Sequence, residues 1–280
     1  MSLALAVCGE GADPSPEIER RFFGKVRLPN GTWKTTYPNR LDDLNARLLE
    51  FLPRDRGLEL MDVAVSSGIS TLEWSDQLQA NNIRHALVAG DLAPRGRLTS
   101  WGHRLAILFD DEGREPLLLE LGSLSVPIDP GGRLVGRSMP VLVPLLRGLA
   151  ARARPLGPGA AAPHRGLVTR PVSLVSPALE QRAEIELVGD DVTVPGRFVN
   201  RFDAIRAANL VQPAYFDRRG LLAILANLRD RLRERGLLAI CRTTAEGVNR
   251  ATIFRRQGDH FASEASLNGG SEVAELVLSL

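Results

Sequence analysis

The stretch over residues 58–73, LELMDVAVSSGISTLE, restricts the possible folds of this chain more than any other. It begins with a short apolar run around Asp62, which is typical of a buried central strand. Ser66, Ser67 and Gly68 form a small-residue turn, and Ile69 begins a helical pattern. A helix that starts directly after such a turn is a ready anion site. The stretch therefore predicts a strand–turn–helix unit, which either binds a nucleotide-type ligand or only connects two elements.

Strands and helices alternate along much of the remaining sequence. Apolar residues at helical spacing predict helices over residues 39–52 and 217–234, with Asp217 as the N-cap of the second. Ser271 is expected to cap a final helix. The predicted strands after the opening one cover residues 84–90, 185–188, 203–207, 237–242 and 251–256. This alternation predicts an α/β fold of the Rossmann-like, doubly wound type with a mostly parallel sheet.

Two regions depart from the alternating pattern. Residues 1–38 are predicted to form an N-terminal arm with a small hairpin over residues 22–33. Residues 94–170 contain a hairpin with an acidic turn, a helix over residues 141–153 and a loop rich in Pro, Gly and Ala over residues 154–165. We interpret residues 94–170 as an insertion over one edge of the sheet, within an α/β domain of residues 39–280. The arm and the insertion are expected to cover the substrate.

Composition excludes several classes of protein. The net charge is only +2 and aromatic residues make up 5%, so we expect no nucleic-acid partner. Cys8 and Cys241 are too few for a disulfide framework or a Cys-based metal site. No run reaches the roughly 18 apolar residues of a membrane span. We expect a cytoplasmic protein without a membrane partner, in which the apolar run over residues 139–149 is core or the face of a homodimer.

Asp91 follows the second predicted strand and lies 23 residues after Gly68. In strand–helix–strand nucleotide sites, an acidic residue about 20 residues past the glycine turn hydrogen-bonds the ribose. An acid at a strand end that only caps a turn is nearly as common. The spacing therefore fits a ribose-binding role without requiring it.

The ordered features over residues 39–256 resemble the class I S-adenosylmethionine-dependent methyltransferase family. The most specific part is FDAIRAANLVQPAYFDRRGLLAILANLRDRLRERGLLAI, residues 202–240, which resembles the fourth strand, long helix and fifth strand of that family. MDVAVSSG stands in the place of the glycine-rich D-x-G-x-G-x-G motif, with Ala64 and Ser66 replacing two of the three glycines. The resemblance implies a seven-stranded sheet with an antiparallel last strand, completed by residues 251–256 and 260–265.

The resemblance also implies S-adenosylmethionine as the cofactor and a set of cofactor-binding residues. Asp91 would bind the ribose, Asp190 or Asp191 the adenine amino group, and Asn209 would lie near the methionine part. The turn would contribute the remaining residues, which are Asp62, Ala64, Ser66, Ser67 and Gly68. Because Ala and Ser are the smallest substitutes for glycine, we expect the turn to survive provided that neither position needs a positive φ.

Methyl transfer is an in-line displacement at a methyl carbon, so the enzyme mainly aligns the reactants and excludes water. No metal is required. An oxygen or nitrogen acceptor usually needs a base, for which the candidates are His103, His260, Tyr37 and Tyr215. Each of the four is at least as well explained as a packing or surface residue.

Three hypotheses about function follow. The first is S-adenosylmethionine-dependent methyl transfer to a small-molecule or natural-product acceptor, with a protein acceptor left open. The second is a catalytically inactive methyltransferase-like partner or scaffold, for which the missing glycines at Ala64 and Ser66 are the evidence. The third, a nicotinamide oxidoreductase, is disfavoured because the turn lacks G-x-G-x-x-G.

Overall fold

The structure, a computed structural model, describes residues 2–9, 11–28, 31–34, 36–129, 133–134, 137–138, 141–157, 160 and 166–280. Its helices are α1 Leu3–Cys8, α2 Pro16–Phe23, α3 Asp42–Leu49, α4 Ile69–Ala80, α5 Leu142–Arg152, α6 Pro177–Glu180, α7 Arg218–Arg231 and α8 Ala274–Leu278.

The strands, in chain order, are β1 Leu58–Val63, β2 His85–Asp91, β3 Arg95–Trp101, β4 Leu105–Asp110, β5 Pro116–Leu121, β6 Leu124–Asp129, β7 Arg133–Leu134, β8 Arg137–Ser138, β9 Arg154–Pro155, β10 Leu167–Ser173, β11 Ile185–Gly189, β12 Phe202–Ala208, β13 Leu232–Thr243, β14 Asn249–Gln257 and β15 His260–Leu267.

Contacts divide the chain into two compact units. Unit 1 consists of residues 1–37, 66–68 and 93–181, and unit 2 consists of residues 38–65, 69–92 and 182–280. The N-terminal arm and the predicted insertion therefore belong to one unit with a core of its own. Their role as a cover for the substrate stays a prediction.

Unit 2 contains a seven-stranded sheet in the order β11-β2-β1-β12-β13-β14-β15. The first five strands are parallel, and β14 pairs antiparallel with both β13 and β15. The Rossmann-like, mostly parallel sheet that the sequence predicted is confirmed. The strand that runs antiparallel to the others is β14, and the last strand, β15, pairs antiparallel with it. The connections from β1 to β2 and from β12 to β13 run through α4 and α7, as expected for parallel neighbours.

Helices cover both faces of this sheet. On one face α7 packs Leu221, Ile224 and Leu228 into a core with Met61 and Ile205. Asp217 caps α7 as predicted, since its Oδ1 accepts the Gly220 N–H at 2.7 Å. The other face carries a polar cluster around Asp62 and Arg206, over which α4 places the ring of Trp74.

Unit 1 contains an eight-stranded sheet in the order β8-β7-β6-β5-β4-β3-β10-β9. Alternate residues of β4 face opposite cores, as the period of a strand requires. Ala106 and Leu108 belong to the core that includes the buried residues of α1 and α2. Ile107 and Phe109 belong to a second core, which α5 completes.

Three local predictions need correction or limits. Helix α7 ends at Arg231 and not at the predicted Glu234, because the chain starts to pair as β13 at Leu232 and then passes through an irregularity in the β12 register. Helix α8 begins at Ala274 with Val273 as its N-cap, so Ser271 is not the cap. In the predicted hairpin Arg27 bridges Trp33, but Phe22 and Phe23 are helical.

Some predictions fall on residues outside the described part of the chain. These are the turn residues 29–30 of the hairpin, residues 139–140 of the apolar run, and residues 158–159 and 161–165 of the Pro- and Gly-rich loop. Within the described residues, every helix is too short or too polar to cross a membrane.

Candidate functional site

Four parallel strands of unit 2 end at the same edge of the sheet. Val63 of β1 is level with Gly90 of β2 and with Ala207 of β12, and Gly189 of β11 is level with Asp91. The residues that follow these strands therefore share one edge. The fold brings Ala64, Asp91, Asp190 and Asn209 to this carboxyl edge, which is where ligands bind in open α/β sheets.

The turn after β1 has a positive φ at three positions, and only the last of them is glycine. The φ angles are +58° at Ala64, +60° at Ser66 and +82° at Gly68. The condition under which we expected the turn to survive, that neither Ala64 nor Ser66 needs a positive φ, is therefore not met. A left-handed conformation costs a residue with a side chain roughly 1–2 kcal/mol. The turn is therefore left-handed at all three positions and is strained at two of them, Ala64 and Ser66.

Residues 66–68 pack with unit 1. The buried Lys34 donates from Nζ to the Ser66 carbonyl at 3.2 Å, and the Ser176 N–H donates to the Ser67 carbonyl at 2.8 Å. A Cβ added to Gly68 would lie 2.4 Å from Cδ1 of Leu179. Both the φ angle and the contact with Leu179 therefore favour glycine at position 68.

Asp62 is fully engaged inside unit 2. Its carboxylate accepts from Nε and Nη2 of Arg206 at 3.0 and 2.5 Å, and from the Thr71 hydroxyl at 2.7 Å. Arg206 also donates to Asn45 Oδ1 at 2.6 Å and to the Ser70 carbonyl at 2.9 Å. Both charges are buried, and together they tie β1 and β12 to α3 and α4. Asp62 therefore holds the elements that carry the turn.

Asp91 ends β2 next to the turn. It is only 6% exposed, and its carbonyl accepts the Asp190 N–H at 2.9 Å. The neighbouring Gly90 carbonyl accepts the Val65 N–H at 3.2 Å, so the pairing of β1 with β2 continues past Ala64. These hydrogen bonds hold Asp91 at the carboxyl edge of the unit 2 sheet, at the strand end where the sequence predicted it.

The two acids after β11 have different surroundings. Asp190 accepts from Nη1 and Nη2 of Arg231 at 2.6 and 3.2 Å in a pair whose side chains are 1% and 2% exposed. Asp191 is exposed, and its Oδ1 accepts from the N–H and hydroxyl of Thr193 at 2.9 and 2.6 Å. The Asp190 carboxylate is thus held by both terminal nitrogens of Arg231, while Asp191 lies at the surface of unit 2.

Asn209 follows β12 with a φ of +59°, which asparagine tolerates well. Its side-chain oxygen accepts the Thr243 N–H at 2.7 Å, and its own N–H donates to the Cys241 carbonyl at 2.8 Å. Burial, and then the nearby Asp43, raises the pKa of the Cys241 thiol to about 12 against the opposing effect of Arg206 and Arg40, so the thiol stays protonated. Asn209 therefore fixes the start of the loop that leads to α7.

Of the four candidate bases, two lie in unit 2, at opposite edges of its sheet, and two lie in unit 1. Tyr215 is 52% exposed and lies in the loop between β12 and α7, at the carboxyl edge of unit 2. His260 begins β15 at the opposite edge, where its Nδ1 lies 2.8 Å from the Leu280 carbonyl oxygen. Tyr37 and His103 are exposed residues of unit 1. Of the two candidates in unit 2, Tyr215 alone shares the edge with Ala64 and Asp91.

Sequence reasoning missed Arg40. The Asn249 side chain donates to its carbonyl at 2.6 Å, which holds Arg40 at the end of β13 nearest Asn209. Its Nε is buried without a hydrogen-bond partner in the part of the chain that is described. Burial, and then the nearby Arg206, lowers the pKa of Arg40, although Asp62 and Glu73 act in the opposite direction. No sequence signal marked Arg40, since arginine is common throughout this chain.

Known proteins were compared with the chain at the level of families, sequences and structures. No family model matches, and no curated protein matches. Solved structures that match include the CMeT domain of the citrinin polyketide synthase, with 12% identity over 82% of this chain and 40% of that one and a TM-score of 0.39. The CurJ carbon methyltransferase matches with 13% identity over 88% and 43% and a TM-score of 0.38.

A third matching structure is phosphoethanolamine N-methyltransferase 2 of Haemonchus contortus, solved with phosphomonomethylethanolamine and S-adenosylhomocysteine. It has 11% identity over 71% of this chain and 28% of that one, with a TM-score of 0.32. The chain thus spans less than half of the length of each of these structures. Because the identities and scores are low, the fold assignment depends on the strand order and connections of unit 2, which define a Rossmann-like α/β fold.

Proposed function

We propose that the chain binds S-adenosylmethionine at the carboxyl edge of the unit 2 sheet and transfers its methyl group to a small-molecule acceptor. The observation that carries this proposal is the positive φ at Ala64, Ser66 and Gly68. Residues with a side chain and a strained backbone are concentrated at sites that contact ligands. The strain stands at the turn between β1 and the start of α4, where a nucleotide-type ligand would approach the backbone.

Each part of the cofactor has a candidate partner. Asp91 would accept hydrogen bonds from the ribose hydroxyls. For the adenine amino group Asp191 is the better candidate, because the Asp190 carboxylate is already paired with Arg231. The cofactor, when bound, supplies an electrophilic methyl group on a sulfonium.

The methionine part carries a carboxylate, which needs a cation. Arg40 lies at the end of β13 near Asn209 and has a buried Nε without a partner among the described residues. A buried guanidinium is stabilised by a bidentate carboxylate. We therefore assign the methionine carboxylate to Arg40 and leave Asn209 the role of fixing the loop beside it.

For the acceptor we infer an oxygen or nitrogen nucleophile on a small molecule or natural-product intermediate. The near-balanced net charge of +2 supports an acceptor other than nucleic acid. Tyr215 is the preferred candidate for the base, since it lies on the loop after β12 at the carboxyl edge. A Tyr215→Phe variant is expected to keep cofactor affinity and to lose turnover once an acceptor is known.

The ribose assignment is tested by Asp91→Ala. Losing hydrogen bonds to a charged acceptor should raise the Kd for S-adenosylhomocysteine by about tenfold or more. Asp111→Ala, which removes an exposed acid from the β4–β5 turn, is the matched control and should leave the Kd unchanged. Calorimetry measures both, and circular dichroism checks that the fold is intact. An unchanged Kd in Asp91→Ala would contradict the assigned role.

The alternative is a catalytically inactive methyltransferase-like partner or scaffold. Two observations favour it: the motif has side chains at Ala64 and Ser66, and Asp190 is paired with Arg231 within the protein. This alternative predicts a folded chain that binds neither S-adenosylmethionine nor S-adenosylhomocysteine. Cofactor binding by the unmodified chain would exclude a complete loss of the site.

A further inference from the structure

Lys34 holds the strained turn from within unit 1. Its Nζ donates to the Ser66 carbonyl at 3.2 Å, and the residue is 1% exposed. The backbone next to it is fixed, since the Lys34 N–H donates to the Val26 carbonyl at 3.1 Å and Trp33 bridges Arg27. The ammonium therefore reaches the turn from an ordered segment.

The presence of a lysine at this position calls for an explanation. Burying an ammonium group is costly unless strong acceptors surround it. The chain otherwise uses arginine for its positive charges and has only one other lysine, Lys25. An ammonium is a compact charge that can approach one carbonyl oxygen closely, whereas a guanidinium is a broad planar fork. The carbonyl that Lys34 approaches belongs to a residue with a φ of +60°.

The same short segment is held at its other residues as well. The Ser176 N–H donates to the Ser67 carbonyl at 2.8 Å, and Leu179 packs where a Gly68 side chain would be. Of these contacts, the one from Lys34 involves a charge and acts on the strained serine itself. A hydrogen bond from a charged donor is stronger than one between neutral groups. It is therefore suited to offset the strain at Ser66.

We propose that Lys34 is a positioning residue, whose ammonium keeps the Ser66 peptide in the left-handed conformation that cofactor binding requires. The expected effect of Lys34 on cofactor affinity rests on the proposed function. The effect of Lys34 on the order of the turn does not rest on it. Serine is tolerated at position 66 because the hydrogen bond from Lys34 offsets the strain of its positive φ. A glycine at this position would have no such strain to offset.

The test combines Lys34→Met with Ser66→Gly. Lys34→Met should raise the Kd for S-adenosylhomocysteine by about tenfold, the effect of one charged hydrogen bond. In the Ser66→Gly background the same change should raise it by less than about threefold, because glycine adopts the conformation without help. A purely structural lysine would lower the Tm equally in both backgrounds and would show no such recovery. Equal losses in both backgrounds would overturn the proposal.

Lys25→Met is the matched control, since it removes the other lysine of the same segment. It should leave the Kd unchanged; a loss equal to that of Lys34→Met would point to overall charge and overturn the proposal. If Lys34→Met does not fold, Lys34→Gln replaces it in the same comparisons.

Hydrogen exchange separates this proposal from the proposed function. Without any ligand, amides in a peptide over residues 64–70 should exchange about tenfold faster in Lys34→Met than in the unmodified chain, and at an unchanged rate in Lys25→Met. This result would support the ordering role even if the unmodified chain bound no cofactor. Unchanged exchange in Lys34→Met would overturn it.

Discussion

Ala64 and Ser66 adopt a backbone conformation that is usual for glycine. Both residues have the positive φ that glycine adopts without strain. Replacing either residue by glycine should therefore raise the free energy of unfolding by about 1 kcal/mol, from the strain relieved less the added entropy of the unfolded chain. Urea unfolding of Ala64→Gly and Ser66→Gly measures this.

A glycine substitution elsewhere gives the comparison. Ala86 lies exposed in β2 with ordinary strand geometry, so Ala86→Gly should lower the stability by about 0.5–1 kcal/mol. If Ala64→Gly and Ser66→Gly were destabilising to the same extent as Ala86→Gly, the two residues would not be strained.

Single residues also mark what the sequence could predict. The spacing from Gly68 placed Asp91 correctly at the carboxyl edge, because a strand–helix–strand unit has nearly fixed length. The partner of Asp190 could not be predicted, since Arg231 approaches from a helix that is distant in sequence. Arg40 was missed for a similar reason, because its burial depends on contacts with β13 and β14.

At the scale of elements, the pair Asp62–Arg206 joins two strands to two helices. Removing one partner of a buried ion pair leaves an uncompensated charge, so Arg206→Met should lower the stability by about 3–5 kcal/mol. The double variant Asp62→Leu with Arg206→Met should lose less than Arg206→Met alone, because no buried charge remains. Denaturant unfolding of the variants tests this. Additive losses from the two changes would show that the charges are not coupled.

The start of β12 carries a second acid with a distinct pH dependence. Burial alone would raise the pKa of Asp203, but hydrogen bonds from Arg56, the Glu59 N–H and Arg233 outweigh it and lower the pKa. A lowered pKa in the folded state means that the stabilisation is present above the unfolded value of about 3.9 and is lost as the pH falls through the folded value.

Asp203→Asn should therefore flatten the fall in stability below about pH 4. The measurement is the free energy of unfolding in urea as a function of pH, with Asp111→Asn as the exposed control. The assigned role of Asp203 would be contradicted if Asp203→Asn and the unmodified chain lost stability in parallel over this range.

Elements with strong local signals were predicted well. The predicted start of α4 at Ile69 is the one observed, because the turn before it is visible in the sequence. The end of α7 differs from the predicted one, since the pairing of Leu232 with Phe202 begins before the predicted last residue, Glu234. Pairing with β12, which is distant in sequence, thus ended the helix before its local helical pattern did.

At the scale of the whole molecule, alternating strands and helices were enough to predict the sheet of unit 2. They were not enough for unit 1, in which the N-terminal helices and the strands after β2 share one core. That association joins segments far apart in sequence, and a single sequence shows only the local pattern of each. For this reason the arm and the insertion looked like separate additions to the α/β domain.

The central claim is that the turn after β1 still binds S-adenosylmethionine. Titration calorimetry of the intact chain with S-adenosylmethionine and S-adenosylhomocysteine tests it most directly. We predict saturable binding of both with one molecule per chain, weakened in Asp91→Ala and retained in Asp111→Ala. A well-folded sample that binds neither compound at millimolar concentration would contradict the claim and favour the inactive partner or scaffold.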